Sequence, residues 1–152
     1  MFLKILKEFY QKHKDHWPKV LFLEKNFRLF TADYQITGRI DRVDQLASGV
    51  KIVDYKAGSR PKVLDSDSKK QLLLYQLAAE EVFKLKVESL SYYFLTDNEE
   101  IAFLGQSKDL ENLKLEIRQT IGKIKASDFK ATPNKFVCQW CNFKDICEFR
   151  AV

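Results

Sequence analysis

Two short β-rich segments that carry carboxylates constrain this chain more than any other feature. They read GRIDRVD at residues 38–44 and IVDYKAG at residues 52–58. Side chains alternate between the two faces of a β-strand, so we expect Asp54 and Lys56 to share one face while Tyr55 lies on the other. A carboxylate and an ammonium group then stand side by side. On an exposed strand such a pair is ordinarily a solvated ion pair that contributes about 1 kcal/mol or less.

The first segment adds two further carboxylates, Asp41 and Asp44. Strand formers fill residues 34–40, and the connection 45–49 ends in glycine, which predicts a hairpin between the two segments. A regular strand sends Asp41 and Asp44 to opposite faces, so only one of them is expected to meet Asp54. Paired carboxylates hold divalent cations, and a neighbouring amine can orient or deprotonate an attacking water. The pattern therefore indicates phosphodiester hydrolysis.

The composition is that of a folded protein. With 152 residues, 45% of them hydrophobic and 31% charged, the chain is long enough for one well-packed domain and far from a disordered composition. The net charge of +5 fits a polyanionic partner but does not require one. No apolar stretch approaches the roughly 18 residues of a membrane span, and the N-terminus does not resemble a secretory signal. We therefore expect a cytoplasmic protein without a membrane partner.

Regular spacing of apolar residues predicts three helices. The first begins near the N-terminus and ends before Trp17, the second begins near Ser68, and the third covers residues 108–126. Glu24 lies on a predicted strand; it could approach the acidic segments, but we expect it to face solvent. Besides the two acidic segments, strands are predicted at residues 20–30, 87–96 and 101–104.

Gln71 and Tyr75 lie one turn apart on the second predicted helix. An amide and a phenol at this spacing can hydrogen-bond DNA phosphates or position catalytic groups. A polar residue near a helix start followed by an ordinary amphipathic tyrosine gives the same pattern. Taken alone, these two residues leave both interpretations open.

All three cysteines, Cys138, Cys141 and Cys147, lie close together near the C-terminus. Three thiols cannot all pair in disulfides, and the expected compartment is reducing, so a metal site is favoured over a disulfide framework. Three ordinary thiols in an aromatic-rich tail are the alternative. Three thiolates are one ligand short of a four-cysteine zinc or iron–sulfur site.

In chain order, the motifs GxxDRxD, DYK and QxxxY and the cysteine trio resemble the RecB-type branch of the PD-(D/E)XK nuclease superfamily. The resemblance covers residues from about 20 to 150. It is closest to iron–sulfur members, namely the nuclease modules of bacterial helicase–nuclease repair proteins and the small CRISPR-associated exonucleases. It implies a restriction-endonuclease-like α/β fold, with a central mixed β-sheet flanked by the N-terminal helix and the helix of Gln71. We expect one nuclease domain over residues 1–152, with a cysteine-containing segment at residues 133–152.

The resemblance also implies roles for individual residues. Asp41 and Asp54 correspond to catalytic ligands of Mg²⁺ or Mn²⁺, the Tyr55 carbonyl can complete the metal shell, and Lys56 corresponds to the catalytic lysine. The residues that match the motif associated with DNA contacts are Gln71 and Tyr75.

The function implied by the resemblance is metal-dependent DNA hydrolysis. An exonuclease-type module of DNA repair, recombination or CRISPR adaptation is expected, with DNA as substrate and a helicase domain or subunit as partner. The alternative is a DNA-binding or structural module of a larger helicase–nuclease that keeps the fold but is too incomplete to cut. A zinc-bearing protein-interaction domain is a third interpretation.

Two features of the family are missing near the N-terminus. The family's first-helix pattern places Leu3 where a further metal-binding histidine is expected, and no cysteine precedes this helix. His13 and His16 lie farther along, and we expect both to be surface residues. Because both gaps lie at the same end, they predict an N-terminally truncated copy of a longer polypeptide, with a divergent standalone protein as the alternative. With one cysteine missing, we expect no 4Fe-4S cluster in this chain, or another metal with water or a neighbouring side chain as fourth ligand.

Overall fold

The computed structural model of the chain describes residues 2–31, 33–127 and 129–151. One compact unit extends to Lys114, and a second begins at Leu115. The helices in the described ranges are α1 (Phe2–His13), α2 (Ser66–Glu81), α3 (Ser107–Lys125) and α4 (Lys135–Cys138). The strands in these ranges are β1 (Val20–Phe30), β2 (Gln35–Gln45), β3 (Val50–Lys56), β4 (Val87–Phe94) and β5 (Glu99–Phe103).

The five strands form one mixed sheet in the order β1-β2-β3-β4-β5. The β1–β2, β2–β3 and β4–β5 pairs are antiparallel, whereas β3 and β4 are parallel. Parallel neighbours need a long crossover connection, and α2 lies in that connection between β3 and β4. The prediction of an α/β fold with a central mixed sheet flanked by helices is confirmed.

The centre of the sheet is buried on both faces. Ile52 and Val53, which are neighbours on β3 and point to opposite faces, are both fully buried. Alternation of apolar and polar side chains along β3 is therefore incomplete, as expected for a strand covered on both sides. Asp54, on the same strand, is buried although it carries a charged group.

α2 begins two residues earlier than predicted, because Asp65 caps its start. The Asp65 carboxylate accepts a hydrogen bond from the Ser68 backbone N–H at 2.7 Å, which satisfies one of the free donors of the first helical turn. The buried residues of this helix are Leu72, Leu73, Tyr75, Gln76, Leu77, Ala78 and Ala79. The cap and this buried stripe fix the rotation of the helix, and so the direction in which Gln71 and Tyr75 point.

α1 packs on the sheet face that carries Tyr55 and Tyr93. The Phe9 ring lies edge-on to Tyr93, with centroids 5.3 Å apart, and to Tyr55 at 6.1 Å. His13 Nε2 lies 3.0 Å from the Tyr93 hydroxyl. His13 is half-buried, so the expectation that it is a surface residue is wrong, whereas His16 is exposed as expected. Burial, followed by the charge of Lys12, lowers the pKa of His13.

The second compact unit contains the C-terminal half of α3 and the short α4. The Asn134 side chain caps α4 by accepting hydrogen bonds from the backbone N–H groups of Phe136 and Val137, at 2.9 and 3.3 Å. The segment after α4 consists mainly of turns. No helix within residues 2–31, 33–127 and 129–151 is both long enough and apolar enough to cross a membrane.

Candidate active site

Asp41 and Asp54 meet where β2 separates from β3. The regular pairing of these strands ends at Arg42 and Val53. Beyond it, the Asp41 Oδ2 atom accepts a hydrogen bond from the Tyr55 backbone N–H at 3.0 Å. The Asp41 side chain therefore occupies the place of a ladder partner, which holds its carboxylate beside β3 near Asp54.

Asp54, Lys56 and Gln71 are joined by one ion pair and two hydrogen bonds. The Lys56 Nζ atom lies 2.7 Å from Asp54 Oδ2 and donates to Gln71 Oε1 at 2.8 Å. The Gln71 Nε2 atom donates to Asp54 Oδ1 at 2.9 Å and to the Tyr75 hydroxyl at 2.9 Å. Asp54, Lys56, Gln71 and Tyr75 are separate candidates in the sequence. The fold brings their four side chains together with Asp41.

Tyr92 belongs to this group but was not recognised as a candidate from sequence. It pairs in register with Asp54 across the parallel β3–β4 ladder. Its hydroxyl donates to the Ser68 carbonyl at 2.6 Å and lies 3.3 Å from Gln71 Oε1. The Lys56 ammonium lies 4.8 Å from the centre of its ring. The sequence marks Tyr92 only as a strand former, because no local pattern gives the register between strands joined by a crossover.

Burial dominates the electrostatics of this group, and repulsion between negative charges adds to its effect. Burial raises the pKa of Asp54, and the Asp41 carboxylate raises it further, against the opposing effect of the Lys56 ammonium. Burial also raises the pKa of Tyr75. The hydrogen bond from Gln71 lowers this pKa, whereas the charges of Asp54 and Asp41 raise it further. The pKa of Tyr92 is raised by burial and by the charge of Asp54. A bound cation would relieve this repulsion.

The donor set fits a hard divalent cation. Asp54 Oδ2 is buried and accepts no well-aligned hydrogen bond; its ionic contact is with Lys56. Mg²⁺ is typically held by one or two carboxylates and keeps several water ligands, so Asp41 and Asp54 suffice as protein side chains. Within the part of the chain that the structure describes, no three His, Cys, Asp or Glu side chains are grouped as ligands of one ion. Leu3 is exposed on α1, which covers the opposite face of the sheet.

Asp44 lies on the face opposite Asp54. The Arg42 Nε atom lies 3.0 Å from Asp44 Oδ1 and donates to Oδ2 at 3.1 Å, and the Arg42 guanidinium also hydrogen-bonds the Tyr55 hydroxyl. Burial raises the pKa of Asp44, while Arg42 opposes that rise. The prediction that only one of Asp41 and Asp44 meets Asp54 holds in the structure, and that residue is Asp41.

Two charged residues flank the carboxylates at the surface. Arg39 Nε forms an ion pair with Glu24 Oε2 at 2.8 Å, and both side chains are more than half exposed. Glu24 has a left-handed backbone, with φ of 49°, which is uncommon for a residue other than glycine. The expectation that Glu24 faces solvent agrees with this exposure.

Gly38 of the first motif supports the wall of the site. A Cβ atom at this position would lie 2.5 Å from Cζ of the Phe27 ring, so only glycine permits this approach. The Phe27 ring is buried and lies edge-on to Tyr75, with centroids 6.0 Å apart. The glycine of GxxDRxD thus allows the packing that holds Tyr75 in place.

The three cysteines lie in the second compact unit and are not grouped as a metal site in the described residues. Cys138 and Cys141 are half-buried and Cys147 is exposed. The Phe143 backbone N–H lies 3.4 Å from Cys141 Sγ, and backbone hydrogen bonding, mainly from Ala151, lowers the pKa of Cys138. A zinc or iron–sulfur site formed by these thiols stays a prediction.

Comparison with known proteins gives one family and one fold. The family model for the PD-(D/E)XK nuclease superfamily matches residues 1–148, a range that enters both compact units. No curated protein matches the chain. The crystal structure of SSO0001 is similar in fold, with a TM-score of 0.52 and 17% sequence identity over 97% of this chain and 67% of that one. The family match extends over nearly the whole chain, and this protein belongs to the PD-(D/E)XK nuclease superfamily.

Proposed function

We propose that the chain is a metal-dependent deoxyribonuclease whose active site lies on the sheet face of Asp54. The observation that carries this proposal is a buried carboxylate, Asp54, with one oxygen 2.7 Å from the Lys56 ammonium and the Asp41 carboxylate close by. Asp41 and Asp54, with the Tyr55 carbonyl, would hold Mg²⁺ or Mn²⁺. Such an ion polarises the scissile phosphate and stabilises the leaving oxygen.

The remaining roles follow from the chemistry of the side chains. The Lys56 side chain is more than one-third exposed, so its ammonium can leave Asp54 to orient and help deprotonate the attacking water. Gln71 holds Lys56 and Asp54 in their relative positions through its two amide atoms. We propose that Gln71 and Tyr75 also contact the DNA backbone beside the scissile bond.

The finer classification rests on the motif order. We assign the chain to the RecB-type branch, as an exonuclease-type module of DNA repair, recombination or CRISPR adaptation that works with a helicase domain or subunit. We also propose that residues 1–152 act as one nuclease domain, with residues 133–152 as a cysteine-containing segment. Iron, sulfide and zinc analysis of the purified chain tests the role of the cysteines.

The test of the nuclease proposal is incubation of the full chain with end-labelled single- and double-stranded DNA. We expect shortened products with Mg²⁺ or Mn²⁺ and intact DNA in EDTA. Equal cleavage in EDTA would contradict the metal requirement, and intact DNA under all conditions would contradict the nuclease assignment.

A DNA-binding module that cannot cut is the second candidate. It is favoured by the two-carboxylate ligand set, because no third ligand of the types His, Cys, Asp or Glu joins Asp41 and Asp54 within the described residues. A binding assay on the same labelled DNA separates the two candidates. Binding without metal-dependent products would identify the module.

A further inference from the structure

A cleft of about 460 Å³ opens beside Lys56, between the start of α2 and the segment that follows β3. Lys56 and Gln71 line both this cleft and the candidate active site. The volume lies in the range of ordinary small-ligand sites, about 300–1,000 Å³. The apolar part of the lining consists of Ala57, Gly58, Pro61, Leu64 and Phe94.

The inner wall of the cleft is preformed. Phe94 pairs in register with Lys56 across the β3–β4 ladder, and Tyr92 lies two residues before it on the same face. Their ring centroids are 6.3 Å apart. Both rings, together with Leu64, are more than nine-tenths buried, so the surfaces they present to the cleft are held by the core behind them.

The outer wall is anchored to the turn between β4 and β5. The Ala57 carbonyl accepts a hydrogen bond from Thr96 Oγ1 at 2.5 Å, and the Arg60 backbone N–H donates to the Asp97 carboxylate. The Arg60 guanidinium also lies 3.5 Å from Glu99. These contacts hold residues 57–60 away from α2 and keep the cleft open.

The charge of the lining suits an uncharged planar group better than a phosphate. Lys56 is its one cationic side chain, and the carboxylate of Asp67 is paired with Lys70 at 2.8 Å. The walls between them are aromatic and aliphatic. A nucleobase matches these walls, because every base has flat apolar faces that pack against aromatic and aliphatic groups without requirement for sequence.

We propose that this cleft binds the nucleobase next to the scissile phosphate. The inference rests on the proposed nuclease function, since Lys56 is the group shared by the cleft and the proposed catalytic site. A base in the cleft has left its stack and its pairing partner, which costs least in an already single strand. The substrate class that follows is single-stranded DNA, or a duplex end that has frayed.

The test compares two single strands of equal length, one of thymidine nucleotides and one of abasic tetrahydrofuran phosphates. Binding to the full chain is measured by fluorescence anisotropy in EDTA, where cleavage does not interfere. One stacked base adds roughly tenfold or more in affinity, so the thymidine strand should bind more tightly by about that factor.

Ala57→Phe should remove most of this preference, because residue 57 lines the cleft and a bulky ring at this position narrows it. Ser59→Phe is the matched control: it adds the same ring to the same exposed segment, outside the lining, and should keep the preference. Thermal unfolding of both variants checks that each is folded.

Equal binding of the two strands by the unmodified chain, or a preference that survives Ala57→Phe, would overturn the base-binding assignment. Cleavage of the thymidine strand in Mn²⁺ is scored separately. Cleavage without a binding preference rejects the cleft and leaves the nuclease proposal standing. A preference without any cleavage rejects the nuclease proposal and leaves the base-binding cleft standing.

Discussion

The two faces of the sheet each carry a buried carboxylate beside a cation, and the two pairs differ in their access to solvent. On the α1 face, the Asp44 and Arg42 side chains are 5% and 9% exposed. On the α2 face, the Asp54 side chain is 4% exposed whereas that of Lys56 is 37% exposed. One pair is almost fully buried, whereas in the other the carboxylate is buried and the lysine side chain is partly exposed.

This difference separates a structural ion pair from a reactive one. Arg42 is planar and permanently charged, and it hydrogen-bonds both Asp44 and Tyr55, so its contacts fix the packing beneath α1. Lys56 is flexible and partly exposed, so it can exchange its contact with Asp54 for a substrate or a water. In the sequence, Arg42 and Asp44 lie in the first acidic motif and Asp54 and Lys56 lie in the second. Only the fold shows that the second pair is the more accessible one.

Asp54→Asn should have the largest effect, and on activity alone. Loss of a metal-binding carboxylate removes several kcal/mol of charge stabilisation, which corresponds to a fall in cleavage rate of roughly 100- to 1,000-fold. Stability should not fall, because the fold already disfavours the charged form of Asp54. Initial cleavage rates and urea unfolding of the same preparations measure both. If Asp54→Asn unfolds at a lower urea concentration but cleaves normally when folded, then Asp54 has a structural role and the assignment of the two faces is wrong.

Arg42→Met should show the opposite behaviour. It leaves the buried Asp44 carboxylate without its cation, and breaking a buried pair in this way costs about 3–5 kcal/mol of unfolding free energy. Cleavage by the folded fraction should persist at low temperature. As a control, Arg42→Met combined with Asp44→Leu should recover much of the loss, since an apolar pair of similar volume replaces buried charges well. If Arg42→Met alone unfolds at the same denaturant concentration as the unmodified chain, the structural role of Arg42 is contradicted.

Gly38→Ala tests the packing of the α2 face. Its Cβ would overlap the Phe27 ring, and overpacking of this kind costs about 1–3 kcal/mol. Displacement of Phe27 should also shift Tyr75 and slow cleavage. Gly122→Ala is the matched control: apart from its chain neighbours and its own helix backbone, no atom of the described residues lies within 4 Å of the added Cβ, and alanine is the better helix former by up to about 1 kcal/mol. Gly38→Ala at full stability would show that the Phe27 contact does not constrain the motif glycine.

The smallest predicted effect is the pH dependence of stability contributed by Asp54. Its pKa is raised in the folded state, mainly by burial, so the folded protein holds this proton more tightly than the unfolded chain does. The contribution to stability is therefore complete below the ordinary carboxyl value of 3.8 and declines as pH rises through the folded pKa. Asp54→Asn lacks this decline, so in EDTA its stability relative to the unmodified chain should increase with rising pH. A decrease would contradict the assigned direction.

Local patterns predicted the parts of the molecule that depend on local geometry. The bounds of β1 agree with the prediction, and alternation along β3 placed Asp54 and Lys56 on one face, where they form their ion pair. Spacing along β2 separated Asp41 from Asp44 for the same reason. The family pattern selected Asp41, which the fold places beside Asp54.

Non-local pairing decided the rest. Tyr92 joins the site through the parallel register of β3 and β4, which is set across the whole α2 connection. His13 is half-buried because α1 packs against Tyr93, and helical periodicity alone does not specify this packing. β2 ends at Gln45, close to the predicted end at Asp44, and its charged residues Arg42 and Asp44 pair with each other in the interior, which the sequence did not predict.

The most direct test of the central claim compares two lysines of β3 that point to opposite faces. Lys56 contacts Asp54, whereas Lys51 forms an ion pair with Glu100 on the other face. Lys56→Ala and Lys51→Ala are purified in parallel and assayed on end-labelled single-stranded DNA with Mn²⁺. We predict loss of cleavage by at least about 100-fold in Lys56→Ala and cleavage close to that of the unmodified chain in folded Lys51→Ala. Undiminished cleavage by Lys56→Ala would contradict the assignment of the active site to the Asp54 face.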